Sequence, residues 1–105
     1  MPRILRQDAE RLLANVPEEY TFKCHGGGRI LRNLQELAEA LAVMSDDTFA
    51  FHSNVDKSDF SNWVRDVIGD EKLSRDLQKS NSRIRAVKKV ADRIAWLCSK
   101  TIANS

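Results

Sequence analysis

A tryptophan among basic residues is the feature of this sequence with the clearest chemical potential. It lies in a segment of helical periodicity, residues 83–100. At 100° per residue, Trp96 falls on the face opposite the apolar one. The bases that share this face are Arg85, Lys88, Lys89, Arg93 and Lys100. An indole ringed by cations can stack on a base or a guanidinium, or anchor a protein contact, where Trp and Arg are enriched. The alternative is that an N-terminal helix packs over Trp96 and covers it.

A second group of polar residues consists of His52, Asp59 and Asn62. His52 precedes a predicted helix, and Asp59 and Asn62 lie at its start. In one interpretation these residues are structural: Asp59 caps the helix, Asn62 fastens the loop at 53–58 or the region near His52, and the His52 ring bonds a nearby carboxylate or carbonyl. In the other, the three side chains line a small polar pocket that recognises a ligand or a peptide.

Metal and catalytic patterns are weaker. Cys24, His25 and His52 contain only one pair of potential ligands at short spacing, whereas zinc sites use paired ligands. The polar loop before Asp59 lacks the glycine and the distant glutamate of a calcium loop. Catalysis would call for a nucleophile beside a base, or two carboxylates in one cleft, and the spacing supplies neither. We therefore expect no metal, no cofactor and no catalytic residue.

Composition favours a globular domain in a reducing compartment. The chain has 105 residues, of which 42% are apolar and 30% charged. No segment approaches the ~20 apolar residues that a membrane helix needs, and the first residues do not resemble a signal peptide. Cys24 and Cys98 lack a metal-type spacing, so we expect two free, buried thiols. These observations predict a cytoplasmic protein with no membrane association.

Charge is unevenly distributed along the chain. Residues 33–78 contain ten acids and four bases, a net charge of −6. Residues 79–100 contain seven bases and one acid, a net charge of +6. Either the two regions face each other or lie on separate solvated faces of one fold, or the basic region is a surface for an acidic partner.

Periodicity and capping residues predict a mainly α (α+β) fold: a compact bundle of five to six helices with a small β-hairpin near residues 20–32. One domain is expected over residues 1–105, with 101–105 as a frayed tail. Residues 20–25 alternate before three glycines, which predicts the hairpin. Helix starts are predicted at Asn33, Ser45, Ser58 or Asp59, and Asp70, and Gly69 ends a helix. In the last helix the predicted core face consists of Ile84, Val87, Val90, Ala91, Ile94, Ala95, Leu97 and Cys98.

Two stretches resemble a family of uncharacterised archaeal and bacterial domains, found alone or attached to other modules. One stretch is Phe51-His52, six residues, then Asp59-Phe60-x-Asn62-Trp63-x-x-Asp66-Val67-x-Gly69-Asp70-x-x-Leu73. The other is Phe22-x-Cys24-x-Gly26, followed by Asn33-Leu34-x-Glu36-Leu37-Ala38-x-Ala40-Leu41. The resemblance spans residues 20–77, with Ser58 where the family pattern has asparagine and three glycines where it has an aspartate-glycine turn. It implies an intracellular prokaryotic accessory domain and carries no activity or site residue.

The function that these patterns favour is a non-catalytic protein-interaction or regulatory module. Its first candidate surface is the basic face of the last helix around Trp96, and its partner is an unidentified protein or a second copy of the chain. The alternative is weak, sequence-independent nucleic-acid binding through the same face, where Arg and Lys would meet phosphates. An enzyme of unknown type is the third hypothesis.

Overall fold

The computed structural model describes residues 5–25 and 29–102. Within these residues the chain forms six α-helices and one two-stranded antiparallel sheet, which confirms the mainly α fold with a small hairpin. The helices are α1 (Arg6–Leu13), α2 (Leu34–Val43), α3 (Asp46–His52), α4 (Asp59–Trp63), α5 (Glu71–Gln78) and α6 (Arg83–Ile102). The strands are β1 (Phe22–Lys23) and β2 (Ile30–Leu31).

The N-terminal elements are shorter than their sequence patterns predicted. Residues Glu18–Tyr20 form a single 3-10 turn, and the strand alternation over 20–25 yields only the two residues of β1. In the hairpin, Phe22 pairs with Leu31 and Lys23 with Ile30. The predicted glycine turn lies outside the described residues. At the other end α6 continues to Ile102, two residues beyond the predicted end, and residues 103–105 also lie outside the described part.

Side-chain caps explain where three helices begin. The side chains of Asn33, Ser45 and Asp70 accept the backbone N–H of Glu36, Thr48 and Leu73 respectively. Each bond satisfies a backbone donor that the first helical turn leaves unpaired. At the start of α2, the Glu36 carboxylate also accepts the N–H of Arg32, which precedes the cap residue Asn33. Ser58 is at the cap position of α4 but makes no side-chain cap bond to the described backbone.

The end of α4 matters for the position of Asp70. A π-helical turn, Val64–Ile68, extends α4, and the N–H groups of both Gly69 and Asp70 donate to the Val64 carbonyl. Gly69 has a φ of 90°, a left-handed conformation that glycine adopts without steric cost. This abrupt reversal places the buried Asp70 side chain at the start of α5.

The buried face of α6 differs from the predicted one. Ala86, Val90 and Leu97 are buried among α1 and α2, whereas Ile84 is 66% exposed. Ala91, Ala95 and Cys98, also predicted to be core, are exposed, and Val87 and Ile94 are partly buried. The helix is rotated because the side chain of Arg93 also turns inward, to an acidic partner described below. One edge of the predicted apolar arc is therefore in the core and the other edge is at the surface.

A second arginine fixes the other end of α6. Arg83 donates to the carbonyls of Leu41 and Ala42 at the end of α2, at 2.9 and 3.2 Å, and to the Asp46 carboxylate at 2.9 Å. Carbonyls in the last turn of a helix lack partners within the helix, and a cation stabilises that end of the helix dipole. The start of α6 is thus bonded to the junction between α2 and α3.

Both cysteines are free, as predicted, but neither is fully buried: Cys24 is half-buried and Cys98 is exposed. Burial raises the pKa of the Cys24 thiol, and the charge of Arg29 offsets part of that rise. No helix in the described ranges combines the length and the apolar character needed to cross a bilayer.

Candidate functional site: the groove between the last two helices

Trp96 lies at the surface. Although α1 packs against α6, the tryptophan retains 41% of its accessible area. The Arg93 guanidinium is 4.7 Å from the ring centroid, and the Lys100 ammonium is 5.1 Å from it. These cations come from the preceding and the following turns of the helix, and cations within about 6 Å of an indole are attracted to its face. The ring is therefore held in place while much of it stays accessible.

Arg93 is tied to α5. Its Nε and Nη2 donate to the two carboxylate oxygens of Asp70 at 2.7 and 3.0 Å. The side chains of Arg93 and Asp70 are only 13% and 1% exposed. A bidentate pair of this kind has a defined geometry, and Asp70 is itself fixed by capping α5 at Leu73. Arg93 thus contributes no free positive charge to the basic face, and it positions the indole of Trp96.

A groove runs between α5 and α6, beside Trp96. It consists of two adjoining cavities of about 430 and 400 Å³, which share Asp76 and Lys89. The α5 wall contains Lys72 and Asp76 of the helix, and Lys79, the residue that follows it. The α6 wall contains five of the six predicted residues, Arg85, Lys88, Lys89, Arg93 and Trp96, and the sixth, Lys100, lies over the Trp96 ring. We call this feature the α5–α6 groove.

The α5–α6 groove is electropositive. Its lining includes six bases and the two acids Asp76 and Asp92. Asp70, which neutralises Arg93, is a third acid. The six positive and three negative charges give a net charge of +3. Lys72 pairs with Asp76 at 2.7 Å and Lys88 with Asp92 at 3.0 Å. The remaining lining cations, Lys79, Arg85 and Lys89, have no carboxylate within ion-pair distance in the described part of the chain.

Asp76 remains ionised within this basic surround. Partial burial alone would raise its pKa. The hydrogen bond from Lys72, together with the charges of Lys72, Lys89 and Lys79, outweighs burial and holds the pKa of Asp76 below its ordinary value. The α5–α6 groove therefore has an ion pair of Lys72 and Asp76 in its middle and unpaired positive charges toward its Arg85 end.

Sequence reasoning missed the contribution of α5. Lys72, Asp76 and Lys79 follow each other at four and three residues, the spacing of one helix face. That spacing was a usable signal for a charged wall. The spacing could not show that this wall lies opposite the basic face of α6. The two helices are joined by the contact between Arg93 and Asp70, which are 23 residues apart in sequence.

The second predicted group is only partly assembled. His52 Nε2 accepts the backbone N–H of His25 at 2.9 Å, so Nδ1 carries the proton of the neutral ring and donates to Asp59 at 3.0 Å. The ring is 5% exposed and lies about 5 Å, centroid to centroid, from three phenylalanine rings: Phe22 at 5.0 Å, and Phe51 and Phe60 at 5.1 Å. Both ring nitrogens are thus used within the fold.

Asp59 and Asn62 do not complete a closed polar pocket around this ring. Asp59 also pairs with Lys57 at 3.2 Å. Asn62 is exposed, and its side chain makes no hydrogen bond to the described residues. The loop at 53–58 is instead fastened by Asn54, whose side chain accepts two backbone N–H groups and donates to the Ala50 carbonyl. A ligand at His52 would have to replace an existing hydrogen bond.

The described residues contain no group of three or more His, Cys, Asp or Glu side chains arranged to hold a metal ion. In comparisons with known proteins, the chain matches no family model, no curated protein and no solved structure. The function is therefore argued from the geometry. The resemblance over residues 20–77 therefore stays a prediction.

Proposed function

We propose that this chain is a non-catalytic protein-interaction module whose contact surface is the α5–α6 groove. The observation that carries the proposal is an exposed tryptophan held by a buried ion pair at the end of a groove. Binding energy at protein interfaces concentrates in a few residues, among which Trp and Arg are enriched. The indole keeps 41% of its accessible area beside the Arg93–Asp70 pair, and this exposed part of the ring is available to a partner.

Preorganisation strengthens this reading. Ordering a side chain on binding costs about 0.5–1.5 kcal/mol for each residue that loses rotamer freedom. The cations over the Trp96 ring and the bidentate pair behind it restrict the indole before a partner arrives. A partner can therefore gain contact with the ring without that part of the cost.

Nucleic-acid binding is the second candidate, and the unpaired Lys79, Arg85 and Lys89 are the observation that favours it, because such cations also bind phosphates. Catalysis has less support. The hydroxyl that lines the α5–α6 groove, that of Ser80, donates to the Asp76 carbonyl, and neither cavity is lined by a histidine. Self-association is the version of the main proposal in which the partner is a second copy, and pairing two grooves of net charge +3 would be opposed by repulsion.

We also propose a cytoplasmic location in a prokaryotic cell. The two free cysteines fit a reducing compartment, and the prokaryotic source rests on the resemblance alone.

Site-specific photo-cross-linking in cells of the source organism tests the proposed function. Benzoylphenylalanine in place of Lys88, which lines the α5–α6 groove, should capture a protein, and Trp96→Ala should abolish that product. The same residue in place of Lys23, an exposed cation on β1, is the matched control and should not give it. Capture of nucleic acid at position 88, or equal capture at both positions, would count against a protein-binding groove.

A further inference from the structure

We propose that the α5–α6 groove binds an acidic segment of its partner, and that this segment also carries an aliphatic or aromatic side chain that contacts Trp96. This inference rests on the proposed function and specifies the chemistry of the partner. It follows from the different character of the two ends of the groove.

The Arg85 end of the groove calls for negative charge. Lys79, Arg85 and Lys89 have no carboxylate within ion-pair distance among the described residues, and they line a cavity of about 400 Å³. Unpaired cations around a concavity create a potential that attracts anionic groups. Carboxylates from a partner would give these three bases the partners that the fold provides to Lys72, Lys88 and Arg93.

The Trp96 end calls for an apolar group. Its cavity, of about 430 Å³, has the exposed indole as its apolar wall. The Lys100 ammonium, 5.1 Å from the ring centroid, adds a positive rim, whereas the charge of Arg93 is neutralised by Asp70. An apolar side chain flanked by carboxylates satisfies both features, because it buries ring surface and its neighbours face the rim.

Distances along α6 set the spacing in the ligand. Lys89 and Arg85 precede Trp96 by seven and eleven residues, or roughly 10 and 16 Å at 1.5 Å per helical residue. An extended segment advances about 3.3 Å per residue. The acidic positions should therefore stand about three to five residues from the apolar one if the segment binds in extended form.

The same features disfavour a polyphosphate chain. Asp76 and Asp92 lie in the stretch between the unpaired cations and Trp96, and because they neutralise Lys72 and Lys88, those two lysines offer no surplus charge to a continuous run of phosphates. A peptide can place its acidic residues at the Arg85 end and its apolar residue at Trp96, and leave neutral residues opposite Asp76.

Fluorescence anisotropy with designed peptides tests this inference on the whole chain. The labelled probe has a cluster of glutamates and, four residues away, a single leucine. One control peptide replaces every glutamate by glutamine, another replaces the leucine by alanine, and a single-stranded oligonucleotide represents phosphate ligands. The glutamate-leucine peptide should bind most tightly, and both control peptides should lose about tenfold or more in affinity.

Variants then locate the site. Arg85→Glu combined with Lys89→Glu, and separately Trp96→Ala, should each weaken the glutamate-leucine peptide by about tenfold or more. Lys23→Glu reverses an exposed charge outside the groove and should leave its affinity unchanged apart from a small general effect. Thermal unfolding of each variant checks that it is folded, and Lys79→Glu is a further single substitution at an exposed position.

The outcomes separate this inference from the proposed function. Equal binding of the glutamine peptide, or no peptide binding while cross-linking at position 88 captures a protein, overturns the acidic segment and leaves the interaction module standing. Binding of the oligonucleotide in preference to every peptide, with loss in Trp96→Ala, overturns both.

Discussion

At the scale of single residues, Arg93 differs most from what the sequence indicates, because a helical projection places it among the surface bases. The structure places its guanidinium on the buried carboxylate of Asp70, at 2.7 and 3.0 Å. The type of residue and its position on the helix were visible in the sequence. Its partner was not, because nothing local distinguishes an arginine that pairs 23 residues away from one that points into solvent.

Removing Arg93 should therefore destabilise the domain far more than removing another base of the same helix. Arg93→Ala leaves the Asp70 carboxylate buried without its cation, a change that costs about 3–5 kcal/mol. Arg85→Ala, at an exposed site without an ion pair to described residues, should change the free energy of unfolding by about 0.5 kcal/mol or less. Urea denaturation followed by circular dichroism measures both, and equal effects would show that the Arg93–Asp70 pair does not support the fold.

His52 and Asn62 separate the structural from the pocket interpretation of the polar group. His52→Ala leaves the His25 N–H without its acceptor, which costs about 1–3 kcal/mol before the lost ring packing is counted. Asn62→Ala should change the free energy of unfolding by no more than about 0.5 kcal/mol, because its side chain is exposed. If His52→Ala left stability unchanged and abolished binding of a ligand, the polar-pocket interpretation would be correct.

At the scale of elements, capping residues and periodicity were enough to predict the helices, since Asn33, Ser45 and Asp70 cap through local bonds that a sequence displays directly. The direction in which α6 faces could not be predicted. Apolar residues extend around too much of this helix for periodicity to choose one edge, and the choice is made by Arg93 and Arg83, which bond to distant elements. The α6 wall of the groove was predicted from the sequence. Its α5 wall was not, because the contact between the two helices joins residues that are distant in sequence.

The rotation of α6 predicts different costs for two residues that sequence alone assigned to the same core face. Leu97→Ala removes a fully buried side chain and should lower the free energy of unfolding by about 2–5 kcal/mol. Ile84→Ala, at a side chain 66% exposed, should lower it by about 0.5 kcal/mol or less. Chemical denaturation of the two variants decides the point, and a large loss for Ile84→Ala would restore the predicted face.

At the scale of the whole molecule, the charge asymmetry of the sequence is partly resolved inside the fold. The acidic region 33–78 supplies Asp46 and Asp70 as partners for Arg83 and Arg93 of the basic region. Lys79, Arg85 and Lys89 remain unpaired within the described residues and are gathered on one side of the molecule by the packing of α5 against α6. Part of the basic charge is therefore paired with acids inside the fold and part is exposed in the α5–α6 groove, and an acidic partner for the exposed part stays a prediction.

The measurement that most directly tests whether this surface serves a protein rather than a nucleic acid is a salt-dependent titration of labelled DNA and RNA with the whole chain. Phosphate binding weakens steeply as salt rises, because each contact releases counterions. We expect at most weak binding at low salt, none near physiological salt, and no dependence on Trp96. Tight binding that falls steeply with salt and disappears in Trp96→Ala would contradict the account and make nucleic acid the ligand of the α5–α6 groove.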